Sequence, residues 1–71
     1  MKVKKLIKLL QAYDPNTEVV MSSDGEGNSY SPLADAGQGF YVAESTWSGD
    51  LYSEEEKPDD AKEVVCLWPT N

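Results

Sequence analysis

The sequence predicts an α+β fold, one N-terminal helix packed on a three- to four-stranded antiparallel sheet, in a single domain of residues 1–71. Three observations carry that expectation. The first thirteen residues, MKVKKLIKLLQAY, repeat apolar side chains at helical spacing. Short β-rich runs follow, EVVMS, FYVAE and EVVCLW, separated by Gly, Pro, Asn and Ser. No second helical period appears, and an antiparallel sheet would carry the one helix on one face.

The helix is expected over residues 3–13. Val3, Leu6, Ile7 and Leu10 fall at i, i+3, i+4 and i+7, and Leu9 widens the stripe. Lys4, Lys5, Lys8 and Gln11 occupy the other side. Lysines in the first turn oppose the helix dipole, and so short a helix is marginal in isolation. Burial of the Val/Leu/Ile face must therefore hold it. Asp14-Pro15 ends it, because proline disfavours helical geometry at the residue before it.

Residues 18–22 read as the first strand. The run Ser23-Asp24-Gly25-Glu26-Gly27-Asn28 is turn chemistry. Residues 28–33 can pair back as a second strand, with Pro32 marking an edge or an end. Gly37 and Gly39 punctuate before a third strand at 40–44. Residues 45–62 read as irregular, with Trp47, Leu51 and Tyr52 spaced too loosely for a strand. Residues 63–68 form the last strand. Val19, Met21, Val64, Cys66 and Trp68 alternate toward one face, but Val20, Val65 and Leu67 on the other are apolar too. A homodimer would cover the surplus apolar face.

Composition narrows the chemistry. A chain of 71 residues buries only about 60% of its unfolded surface, so its core is thin. Cys66 is the lone cysteine, so no intrachain disulfide forms, and a reduced thiol suits the cytosol. Histidine is absent, which removes the commonest general base and the usual nucleophile–histidine pairs. We therefore expect no enzyme, no cofactor and no metal. Residues 14–71 set two lysines against 13 acids, a balance of −11, within a net charge of −7. Such a surface repels phosphate, so direct nucleic-acid binding is not expected, and a basic protein is the better electrostatic partner. No apolar run reaches membrane-spanning length. Lys8 interrupts the LIKLL stretch and no small-residue cleavage site follows, so a signal peptide is not expected.

The densest charge run, Glu54-Glu55-Glu56-Lys57-Pro58-Asp59-Asp60, is the candidate partner-binding site. Spaced carboxylates on a rigid frame can mimic the phosphates of DNA, whereas the same run on a mobile loop only keeps the domain in solution. Trp47 and Tyr52 are candidate apolar anchors, since aromatics supply contact area at low entropy cost. Glu44 and Asp50 could extend the acidic patch, as could Asp24, Glu26 and Asp35. Asp24, Glu26 and Asn28 alternate like the first ligands of a calcium loop, but Ser29 stands where that loop needs glycine, so a turn is expected. Cys66 between Val65 and Leu67 reads as a core thiol.

The stretch KVKKLIKLLQAYDPNTEVVMSSDGEGNSYSPL resembles the opening of small acidic proteins of tailed bacteriophages and prophages. In that group an LIKLLQ-like helix precedes DPN or DPD, an EVV strand and a glycine-rich turn leading to Y-x-P-L. The later STWSG and closing VCLWP fit the same pattern. The resemblance implies a setting, the cytoplasm of an infected bacterial host. It also implies a role, binding and inhibition of a host protein of defence or nucleic-acid handling. The alternatives are sequestration of a nucleotide-like signal by a dimer, and a minor virion or assembly component.

Overall fold

Helix α1 covers Val3–Leu10 in the computed structural model, which describes residues 1–70. It stops short of the expected residue 13. Gln11 N–H still donates to the Ile7 carbonyl, but Ala12 and Tyr13 reach back only three residues, to Leu9 and Leu10. The last turn thus tightens before Asp14, whose carboxylate accepts from Asn16 N–H at 2.8 Å and whose carbonyl accepts from Thr17 N–H at 3.0 Å. This side-chain-stabilised turn redirects the chain.

Four antiparallel strands follow, β1 (Val20–Ser22), β2 (Tyr30–Ala43), β3 (Gly49–Tyr52) and β4 (Lys62–Pro69). The α+β expectation therefore stands, with three corrections to the strands. The second and third expected strands are one, β2, which runs through Pro32, Gly37 and Gly39. A side chain on Gly39 would meet Leu51 Cδ1 at 2.8 Å. That glycine serves close packing of β3 rather than a break. The expected irregular stretch contains β3, paired to β2 as Phe40↔Tyr52, Tyr41↔Leu51, Val42↔Asp50 and Ala43↔Gly49. Leu51 and Tyr52 are strand residues because the partner strand, not local spacing, organises them. Lastly, β1 is three residues, shorter than the expected 18–22, although Leu33 N–H still donates to the Val19 carbonyl at 3.2 Å. β2 is the hub, pairing with β1, β3 and β4.

The chain divides into two units. Unit 1 comprises Met1–Leu33 with Pro69 and Thr70. It holds α1, β1 and the hairpin register Val20↔Pro32, Met21↔Ser31 and Ser22↔Tyr30. Thr70 N–H donates to the Pro32 carbonyl at 3.1 Å. No residue of α1 is buried, and only Leu6 is half-buried. Unit 2, Ala34–Trp68, contains the one buried apolar side chain among the described residues, Phe40. Around the sheet of unit 2, Tyr41, Val42, Tyr52, Val64, Cys66 and Leu67 are half-buried, while Val65 and Trp68 face outward.

Candidate partner-binding site

The expected site residues all fall in unit 2, on either end of β3. At one end, residues 44–48 close the β2–β3 hairpin. Glu44 and Ser45 N–H groups both donate to the Ser48 carbonyl, at 2.9 and 3.1 Å. The Ser45 hydroxyl oxygen accepts from the N–H groups of Trp47 at 3.2 Å and Ser48 at 3.1 Å, and it lies 3.0 Å from the Ser48 hydroxyl. The serine hydroxyl thus replaces backbone partners and fixes the tip. Trp47 projects from this tied loop and is 85% exposed. Glu44 and Asp50 flank this loop, and a hydrogen bond between their carboxyls is the first cause of a raised Glu44 value. That bond, together with the repulsion between the two acids, holds the Glu44 carboxyl above its ordinary value.

At the other end of β3, the acidic run forms two successive turns. Glu56 N–H donates to the Ser53 carbonyl at 3.2 Å, and the Ser53 hydroxyl donates to the Glu56 carboxylate at 3.2 Å. Ala61 N–H then closes the second turn on the Pro58 carbonyl at 3.2 Å. Between them Lys57 places its ammonium 4.3 Å from the centroid of the Phe40 ring. A cation over an aromatic face contributes about 0.5–1 kcal/mol at an accessible site. Here it fastens the acidic loop to the one buried apolar side chain of the unit. Sequence reasoning missed Lys57. A lysine inside a run of acids carries no local sign that a phenylalanine seventeen positions earlier lies beneath it.

Glu54, Glu55, Asp59 and Asp60 are all exposed on these turns, and Glu56 is exposed with its carboxylate partnered by Ser53. Tyr52, opposite Phe40, borders the same loop. Trp47 is not part of it: the four residues of β3 separate the two ends by about 13 Å. The site is therefore two patches, an acidic loop with Tyr52 and an aromatic tip with Glu44 and Asp50. Gln38 donates to the Glu63 carboxylate at 2.7 Å, which ties β2 to β4 just beyond the loop.

Asp24 and Glu26 belong to unit 1. The Asp24 carboxylate accepts from the Asn28 side-chain amide at 2.7 Å and from the N–H groups of Glu26 at 2.9 Å and Asn28 at 3.3 Å. These bonds, the Asn28 amide foremost, hold Asp24 below the usual carboxylate range. Gly27 supplies the positive φ of 75° that the loop needs. The carboxylate that would begin a calcium loop is thus engaged by the turn itself. Among the described residues no three acidic or thiol groups converge as metal ligands. The Cys66 thiol is half-buried, its sulfur 3.9 Å from the Leu67 carbonyl. No described helix is long and apolar enough to cross a membrane. Compared with known protein families, with curated proteins and with solved structures, the chain has no match.

Proposed function

We infer that the protein is a non-enzymatic accessory protein of a tailed phage that binds and inhibits a host protein in the cytoplasm of the infected bacterium. The target is a defence or nucleic-acid-handling protein, and the contact is its basic, phosphate-binding surface. One observation carries this reading: the acidic loop is built, not loose. Two hydrogen-bonded turns over residues 53–61 and the Lys57–Phe40 contact fix the backbone that carries Glu54, Glu55, Glu56, Asp59 and Asp60. A backbone fixed in this way spares part of the ordering entropy on docking, a condition that phosphate mimicry requires. Unit 2 supports it with nine acids against two lysines, a field that draws cationic surfaces and speeds encounter. Trp47 adds a separate aromatic contact of the kind that dominates interfaces.

The test is a pull-down from bacterial lysate at low and high salt, with and without nuclease, followed by affinity measurement on the recovered protein. Replacing Glu55, Asp59 and Asp60 together by lysine should weaken binding by about a hundredfold, with the loss concentrated in the association rate. Affinity should fall as salt rises and ignore nuclease. Unchanged affinity in the reversed variant sinks the electrostatic mechanism.

A second reading rests on a different feature. Lys4, Lys5 and Lys8 line an open concavity on α1 with Ile7 and Gln11, a cationic setting for an anionic, nucleotide-like ligand. Thermal stabilisation by cyclic nucleotides, lost when these lysines become glutamine, would favour sequestration over inhibition by the acidic loop.

A further inference from the structure

Lys57 is the one cation in a run of five acids. Glu54, Glu55, Glu56, Asp59 and Asp60 all lie within three positions of it. By charge alone it works against a basic partner, since it cancels one of the five carboxylates. Its contacts point the other way. Among the described residues no carboxylate takes Lys57 in an ion pair. Its ammonium lies instead 4.3 Å from the centroid of the Phe40 ring. Phe40 is 8% exposed and sits opposite Tyr52 across the β2–β3 pair, so the ring is a fixed platform. Lys57 also stands between the two bonds that close the turns, Glu56 N–H to the Ser53 carbonyl and Ala61 N–H to the Pro58 carbonyl. Each turn closes with a single backbone hydrogen bond, which gains little in competition with water. Lys57 joins the point where the turns meet to the packed part of the unit.

We propose that Lys57 is a positioning residue for the partner contact, and that its charge strengthens binding to a cationic surface instead of weakening it. The proposal rests on the reading of the acidic loop as the docking surface. Two effects come from the same contact. Seated on the ring, the ammonium leaves the neighbouring carboxylates free to meet a partner. It also holds both turns closed before the partner arrives, which lowers the ordering cost of binding. Without this charge the loop gains one unit of negative charge and loses its anchor. The gain is long-range and acts on association, whereas the loss is local and acts on dissociation. A cation over an aromatic face at an accessible site shifts the balance of closed and open loop by about two- to fivefold.

The test compares two lysines. Lys57→Gln and Lys62→Gln change the net charge equally, and only the first removes the ring contact. Lys57→Arg keeps a cation for the ring. Amide hydrogen exchange at Glu56 and Ala61 reads the loop without any partner. Dissociation from the host protein recovered at low salt reads the contact. In Lys57→Gln both should quicken by about two- to fivefold, while Lys62→Gln and Lys57→Arg keep the wild-type rates. Phe40→Leu removes the π face and should loosen the same two amides, and adding Lys57→Gln to it should do nothing more. Should Phe40→Leu unfold the unit, the lysine variants keep the test open. Unchanged exchange in Lys57→Gln overturns the proposal. Equal quickening in Lys62→Gln also overturns it, because net charge would then be the cause. So does a loosened loop whose complex dissociates at the wild-type rate. Recovery of no host protein sinks the docking reading and the partner role with it, while the exchange rates still show whether Lys57 holds the loop.

Discussion

Unit 1 and unit 2 are nearly equal in length and opposite in construction. Unit 1 is electrically balanced and buries no apolar side chain, while unit 2 carries the whole net charge of −7 and holds Phe40 at 8% exposure. Unit 2 secures its order internally, by strand pairing, the Phe40–Lys57 contact and tied turns. Unit 1 has strong local signals, an amphipathic helix and a carboxylate-capped loop, but little packing to hold them. The difference teaches that a charged surface can lie over the better-packed part of a small chain. Repulsion among its exposed acids costs little in water, whereas an uncovered apolar face leaves a helix without its main support.

The sharpest way to break this contrast is to truncate one side chain in each unit. Phe40→Ala removes the buried ring of unit 2, and with it the platform beneath Lys57. A loss of about 3 kcal/mol or more is expected, enough to unfold much of a domain this small. Ile7→Ala in unit 1 should cost under about 1 kcal/mol because the side chain is already half exposed. Urea titration of both variants checks the pair. Equal losses would mean that unit 1 hides a packing contribution comparable to that of Phe40.

Glycine substitution sharpens the same comparison at lower cost. A Cβ on Gly49 would run into the Val42 carbonyl oxygen and the Tyr41 ring, so Gly49→Ala must push β3 off β2. A destabilisation of about 2 kcal/mol is expected, with resonance shifts confined to the β2–β3 hairpin. In unit 1, a Cβ on Gly25 meets nothing within 4 Å, and Gly25→Ala should be neutral within about 0.5 kcal/mol. Thermal melts of the two variants side by side settle it. Similar shifts would contradict the tight register read for Gly49.

How much of this was legible in the sequence follows the same division. The helix of unit 1 could be placed from its 3.6-residue period, because periodicity is a local signal. Its length could not, since the tightening at Ala12 and Tyr13 depends on the Asp14 turn that follows. In unit 2 the signals that misled were Gly37 and Gly39. Glycine ordinarily marks a turn, but here Leu51 from the neighbouring strand lies over Gly39, and Gly37 lies near the Trp68 indole. Whether a glycine breaks a strand or admits a neighbour is decided by tertiary packing, which local spacing does not encode. The acidic run could be found by counting charges. Its order could not, because Lys57 and Phe40 meet only after β2 and β3 have paired, and the separation of Trp47 from the acids depends on β3 lying between them.

The finest test uses acid, because the two units respond to it with opposite sign. In unit 1, Asp24 is held below its ordinary value of 3.8 by the Asn28 amide and the loop N–H groups. The unfolded chain therefore takes up its proton first on acidification. The stability that Asp24 provides is complete above pH 3.8 and drains away as pH falls through that value toward the folded one. In unit 2, Glu44 is held above its ordinary value of 4.5 by the hydrogen bond to Asp50 and by repulsion from it. Here the folded chain holds the proton longer, so stability declines as pH rises from 4.5 through the raised folded value, and the full penalty persists above it. Both groups are solvent-exposed, so the melting-temperature changes will be small, of about a degree or two. Asp50→Asn should bring the Glu44 midpoint back down and raise the melting temperature relative to wild type at neutral pH, with the advantage vanishing below pH 4.5. Asp24→Asn should lower the melting temperature at neutral pH and converge with wild type below pH 3.8. Carboxyl-detected NMR titration reads each midpoint directly. A Glu44 midpoint unmoved by Asp50→Asn would show that these two acids do not share a proton, and the hairpin tip would then be held by Ser45 and Ser48 alone.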